Sequence, residues 1–234
     1  EVPIRAARLD VKVHVGGRAP DSPQQAAWVV FELLDAADPD DAQLSATTGR
    51  SPVSLADHQR DVADRAGEFA QVLGLPESLK RTLTVAGAHH DDGKSDERYQ
   101  AWLTQGVAGA DEPMAKSLLS ALPFRQSRFL PAGWRHEQLS AAMLRAHADG
   151  ADALAVRLVG TSHGHGRGTF LMGAESLVHP EAAPHVRMAA EELFDVGVWD
   201  ALVLSVEQTW GLWAVAWLEA VLRAADVTIS KEGR

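Results

Sequence analysis

The chain contains no cysteine, which excludes a disulfide framework and fits a reducing, cytoplasmic setting. It contains one tyrosine against seven tryptophans, a balance that points to a sizeable buried interior. No signal-peptide pattern is present, and no apolar run is long enough to span a membrane. The nearest, "LWAVAWLEAVLRAADV", is interrupted by Glu219, Arg223 and Asp226. Positive charge is also in short supply: 22 basic residues against 32 acidic ones leave a net charge of −10. That balance argues against a broad nucleic-acid-binding surface. Acidic residues are in turn absent between Met114 and His136, where Lys116, Arg125, Arg128 and Arg135 alternate with Phe124, Phe129 and Trp134. Two readings of this stretch compete. One is a solvated face over core aromatics; the other is a local groove for a polyanion, with Arg125, Arg128 and Arg135 on phosphate and bases stacked on the rings.

With 234 residues, 46% of them hydrophobic and 23% charged, the chain has the composition of a globular protein. A start at Glu1 rather than Met fits a piece of a longer protein. Residues 1–50 read as a lead or docking segment. In it "ARLDVKVHV" alternates as one short strand before Gly16-Gly17, and Ser22, Pro23 and Gln25 announce a helix through "SPQQAAWVVFELLDAAD". Residues 51–234 read as one mainly α domain. Leu55, His58, Val62, Ala66, Phe69 and Leu73 recur at helical steps and put His58 on an apolar face. "PESLKRTLTVAGAHHDDGK" predicts a second helix running into Gly93, and "EQLSAAMLRAHADG" a third, closed by Gly150. "EAAPHVRMAAEELFDV" predicts a fourth, whereas "AVRLVGTSHGHGRG" reads as irregular. The last helix, from about Trp210 to Ile229, is apolar almost all round and is expected to be central.

The chemistry concentrates in "AGAHHDDGKSDERYQAWL", residues 86–103. A histidine and an aspartate side by side at a buried helix end can ligate a divalent ion. Imidazole with carboxylate suits Mn, Fe, Co or Ni better than calcium. Further donors are at hand in His58, in His136 of "RHE", in His163 and His165 of "SHGHGRG", and in Asp226 inside the apolar last helix. Each alone has an ordinary structural explanation, such as a hydrogen-bonded core histidine, or Asp226 paired with Arg223. The ordered set is harder to explain that way.

That set resembles the HD superfamily of metal-dependent phosphohydrolases, and more narrowly the HD nuclease of CRISPR type I interference. The resemblance runs through residues 51–232: His58, then "HDDGK", then the Tyr99-Gln100 pair, then "RHEQLSA", and last "AWLEAVLRAADVTIS" with Asp226 and Ser230. It implies an HD-domain helical bundle and two divalent metal ions, with magnesium an alternative to the transition metals. His58, His90, Asp91 and Asp226 would hold the first ion. Asp91 would bridge to a second, held by His136 and His163, and Lys94 would reach the phosphate. Asp91 and Lys94 are thus the expected catalytic residues. Two cations about 3.5–4 Å apart can activate water and stabilise both oxygens of a phosphodiester displacement.

Three departures from the family pattern stand out. Ser162 occupies the place of a second-metal histidine, Asp92 that of an apolar residue, and His89 that of an apolar neighbour. His165 is the candidate replacement ligand, while His89, Asp92, Ser162 and Ser230 are expected around the ligands rather than among them. The expectation is a nuclease cutting single-stranded DNA, partnered with a helicase module in the same or another chain and with an RNA-guided surveillance complex. The long extension before His58 fits a nuclease lying downstream of such a module. Rival readings are a phosphohydrolase of nucleotides or cyclic nucleotides, which needs a closed base pocket, and a non-catalytic metal-containing binding module.

Overall fold

The computed structural model describes residues 2–6, 9–15, 29–33, 52–104, 112–116, 129–147, 152–164, 166 and 168–233. The chain divides into two compact units, Glu1–Ser45 and Ala46–Arg234. The first holds three antiparallel strands, β1 (Val2–Ala6), β2 (Leu9–Val15) and β3 (Val29–Leu33), in that order. Val13 of β2 stands opposite Val2 on one side and Phe31 on the other. The extension expected to contain one strand therefore has three. The helix expected from Ser22 is replaced over Val29–Leu33 by a strand, where Val29, Val30 and Phe31 carry the β-branched and aromatic preference for a pleated surface. Ser22, Pro23 and Gln25 lie outside the described residues.

The second unit is mainly helical. A two-stranded antiparallel pair, β4 (Val53–Ser54) and β5 (Met114–Lys116), leads into α1 (Leu55–Val72). The Ser54 hydroxyl accepts from the Asp57 N–H at 3.1 Å, a cap that contributes about 1 kcal/mol. α1 buries Leu55, His58, Val62, Ala63, Ala66 and Ala70 along one face. α2 (Glu77–His89) packs on it closely. A Cβ at Gly87 would lie 2.8 Å from the Ala63 Cα, so the pair needs glycine there. A 3₁₀ turn (Asp92–Ser95) and α3 (Glu97–Leu103) follow. α4 (His136–Ala146) packs against that turn and against α5 (Ala153–Gly160). Next come α6 (Ala174–Leu177), α7 (Pro184–Ala190), a π turn (Glu191–Asp195), α8 (Val198–Trp210) and α9 (Leu212–Glu232). Among the described residues no helix is long and apolar enough to cross a membrane.

Several boundaries differ from the sequence reading. α2 stops at His89, not Gly93, because the chain tightens into the 3₁₀ turn. α4 stops at Ala146, and the stretch expected to be irregular begins as α5. The helix expected from Trp210 starts at Leu212, because Gly211 adopts a φ of 82° and separates α8 from α9. α9 is central along one face only. Val215, Leu218, Val221, Leu222, Ala225 and Ile229 are buried, whereas Leu212, Trp213 and Trp217 face outward, Trp213 with 85% exposure.

Candidate metal centre

The end of α2 builds the centre. His90 caps the helix with its ring turned back, its Nδ1 2.8 Å from the Gly87 carbonyl. A carbonyl can only accept, so the proton sits on Nδ1 and the Nε2 lone pair points away from the helix. The 3₁₀ turn that follows presents Asp91 and Lys94 side by side, with Lys94 N–H donating to the Asp91 carbonyl at 2.8 Å. Gly93 holds this turn against α4. Its N–H donates to the Ser140 hydroxyl at 2.8 Å, that hydroxyl donates to the His136 carbonyl at 2.9 Å, and a Cβ on Gly93 would collide with the same carbonyl. Ser140 and the glycine thereby set how far Asp91 lies from His136.

Asp91 is buried, with 1% exposure, and its two oxygens face different partners. Oδ2 lies 3.7 Å from His58 Nε2 and 3.4 Å from His90 Nε2. Oδ1 lies 3.2 Å from His136 Nε2, which in turn is 3.0 Å from His163 Nε2. Asp226, from α9, completes the first side, its Oδ1 3.3 Å from His58 Nε2 and 4.0 Å from His90 Nε2. The Ser230 hydroxyl, one turn further along α9, donates to Asp226 Oδ1 at 3.2 Å. Two trios thus share one carboxylate: His58, His90 and Asp91, and Asp91, His136 and His163.

The donor set fits divalent ions. Bonds of about 2.1 Å meeting at right angles put neighbouring donor atoms about 3 Å apart, close to these spacings. His90 Nε2 is buried and makes no hydrogen bond among the described residues. It faces Asp91 Oδ2, which also has the Lys94 ammonium at 2.6 Å, while Asp91 Oδ1 faces His136. A buried nitrogen left without a partner is costly, and a bound cation would supply one. The buried groups His58, His90 and Asp91 could hold such an ion, as could His136 and His163 on the other side.

Electrostatics keep the ligands in binding form. Burial works against ionisation of Asp91, but His90, Lys94 and His136 outweigh it and hold the carboxyl well below its ordinary value. Asp226 is likewise held well below its own, with burial opposed chiefly by the His58 contact and by His90. Burial, reinforced by the neighbouring His136, pushes His163 down to about 4, so its imidazole is neutral at physiological pH. The Lys94 ammonium is buried and lies 2.6 Å from Asp91 Oδ2. Although burial alone would lower its pKa, Asp91 and Tyr99 hold it above the usual lysine value.

The remaining expected residues are more scattered. His89 and Asp92 contact each other, His89 Nδ1 being 2.7 Å from Asp92 Oδ2, and the other Asp92 oxygen accepts from Gln59 Nε2 at 2.6 Å. Ser162 is buried with its hydroxyl unpartnered among the described residues. Arg135 lies 3.7 Å from Glu137, an acidic neighbour. Arg125, Arg128 and His165 lie outside the described residues. Trp134 is in the core, its indole N–H donating to the Leu177 carbonyl at 2.9 Å, so it is no platform for a base.

Three further groups lie beside the centre, none of them assigned to it from the sequence. Glu137 is fully buried beside His136, with Oε2 3.5 Å from His136 Nδ1. Its place in "RHE" was visible, but its inward direction was not. Lys116, in β5, is buried in the field of Asp226, Lys94 and Asp91; burial lowers its pKa. Gln100 ties α3 to the 3₁₀ turn and to the start of β5, its Nε2 donating to the Lys94 carbonyl at 2.6 Å and to the Met114 carbonyl at 3.0 Å.

No protein-family model, curated protein or solved structure matches the chain.

Proposed function

We propose that this centre binds two divalent transition-metal ions and hydrolyses phosphodiester bonds of single-stranded DNA. The observation that carries the reading is Asp91, one buried carboxylate whose Oδ2 faces His58 and His90 while its Oδ1 faces His136. A carboxylate shared in this way can bridge two ions, and Asp226 and His163 supply a further donor to each side. Ions held there supply Lewis acidity to the phosphate and activate water. His58, His90, His136 and His163 would serve as imidazole donors, Ser230 orients Asp226, and Gly93 with Ser140 fixes the spacing across Asp91. Lys94 balances the Asp91 charge at 2.6 Å, and its ammonium would be available to a phosphate oxygen if metal ions took over that task.

DNA as substrate, together with a helicase and an RNA-guided surveillance complex as partners, rests on the resemblance of His58, "HDDGK", "RHEQLSA" and Asp226-Ser230 to the CRISPR-associated HD nucleases. Metal analysis alongside cleavage of circular single-stranded DNA tests the proposal. Asp91→Ala should lose the ions of this centre and cleavage while keeping its helical circular-dichroism signal. Undiminished metal-dependent cleavage by that variant removes the two-ion centre. Hydrolysis of nucleotides or cyclic nucleotides without DNA cleavage keeps the centre and replaces the substrate, and bound metal with no hydrolysis leaves a binding module.

A further inference from the structure

A second cluster of ligating side chains lies outside this centre. His89 ends α2, Asp92 opens the 3₁₀ turn, and His147 follows α4; one ligand atom from each falls within 4.8 Å of the others. We propose that these three residues form a separate transition-metal site, of the class that takes Zn²⁺ or Ni²⁺.

Four observations support it. The donors are two imidazoles and one carboxylate, the set that selects transition ions over calcium or magnesium. His89 Nδ1 and Asp92 Oδ2 are 2.7 Å apart, close to the spacing of about 3 Å expected for neighbouring ligands on one ion. An ion there takes the place of the hydrogen that otherwise lies between them. The second Asp92 oxygen is already oriented by Gln59 Nε2 at 2.6 Å, the kind of supporting contact that metal-binding carboxylates have. His147 supplies the third donor from just beyond the end of a different helix. Its ring is 5.1 Å from that of His89, centroid to centroid, and no hydrogen bond fixes it among the described residues.

The site differs in kind from the buried centre. His89 and Asp92 are half-buried and His147 is exposed, so three protein donors leave coordination positions for water. Two of its ligands nonetheless flank those of the main centre along the chain: His89 precedes His90, and Asp92 follows Asp91. An ion bound by His89, Asp92 and His147 would clamp the turn bearing His90 and Asp91 to the end of α4.

Zinc titration of the metal-free protein, read by calorimetry and by metal analysis after gel filtration, tests this site independently of the proposed function. His147→Ala touches neither ligand trio around Asp91 and removes an exposed side chain, so folding is not at stake. Wild type should bind one more equivalent of Zn²⁺ than His147→Ala, and Asp91→Ala should keep an equivalent that Asp91→Ala/His147→Ala lacks. Equal stoichiometry in wild type and His147→Ala overturns the proposal, whatever the main centre does. Should Asp91→Ala fail to fold, the first comparison decides alone.

Discussion

At the scale of single residues, the centre depends on which nitrogens carry protons. His90 is held as a lone-pair donor by the Gly87 carbonyl, and His163 is kept neutral by burial and by His136. The second fact has a consequence for the metal-free protein. An exposed imidazole of the unfolded chain takes up its proton near 6.5, whereas His163 in the fold does so only near 4. Between those values the unfolded state binds more protons than the folded state, so stability falls as pH falls. Stability linked to His163 is therefore complete above about 6.5 and lost progressively down to about 4. Asp91 and Asp226, whose values are depressed, add a further loss at pH values below the ordinary carboxylate range. Urea denaturation of metal-free protein across this window should show the decline, and His163→Gln should flatten it between 6.5 and 4. An unchanged slope in the variant would assign the decline elsewhere.

At the scale of elements, two contacts decide whether the ligands meet. The first is the approach of the 3₁₀ turn to α4 at Gly93, where any side chain runs into the His136 backbone. Gly93→Ala should cost about 1–3 kcal/mol by overpacking and should separate Asp91 from His136. Gly168→Ala, with open space around its Cβ, is the matching control and should change little. Denaturation midpoints and metal content of both variants check the contrast. The second contact ties α5 to α9. The Arg157 guanidinium donates to Glu219 Oε1 at 2.7 Å, and the Thr161 hydroxyl donates to the same oxygen at 2.8 Å, both in the core. This joins the helix that leads to His163 with the helix that bears Asp226. Glu219→Ala leaves a buried guanidinium with, among the described residues, only the outlying Glu207 at 3.4 Å, and should cost about 3–5 kcal/mol in chemical denaturation. Glu219→Gln, which keeps a hydrogen-bond acceptor, should cost less.

At the scale of the molecule, the centre draws on α1, the end of α2, α4, the turn after α5, and α9, so ions bound there would staple segments far apart in sequence. Ligands that bind only the folded state stabilise it by mass action, by about 2.7 kcal/mol at a hundredfold excess over Kd. For a chain of this size that raises Tm by roughly 5–10 °C. Chelation should therefore lower Tm by about that amount, and added Mn²⁺ should restore it. Asp91→Ala/His147→Ala, which lacks both sites, should respond to neither treatment. A wild-type Tm indifferent to chelator and Mn²⁺ would mean that these side chains hold no ion.

What the sequence determined by itself was local. Helical spacing placed His58 on the buried face of α1, because a period of 3.6 is written into neighbouring residues. His90, Asp91, Gly93 and Lys94 were legible as one unit for the same reason, being adjacent. The wrongly expected helix over Val29–Leu33 shows the limit of such reading, since pairing with β2 is a long-range fact that local capping signals do not contain. Only the tertiary structure decided that Asp91 turns one oxygen to His58 and His90 and the other to His136. It alone turned Glu137 inward and Trp213 outward, and brought His147 to His89 and Asp92. Each of these depends on how helices pack against one another. Side-chain direction at a helix end or turn follows from the neighbour it meets, and that neighbour lies elsewhere in the chain.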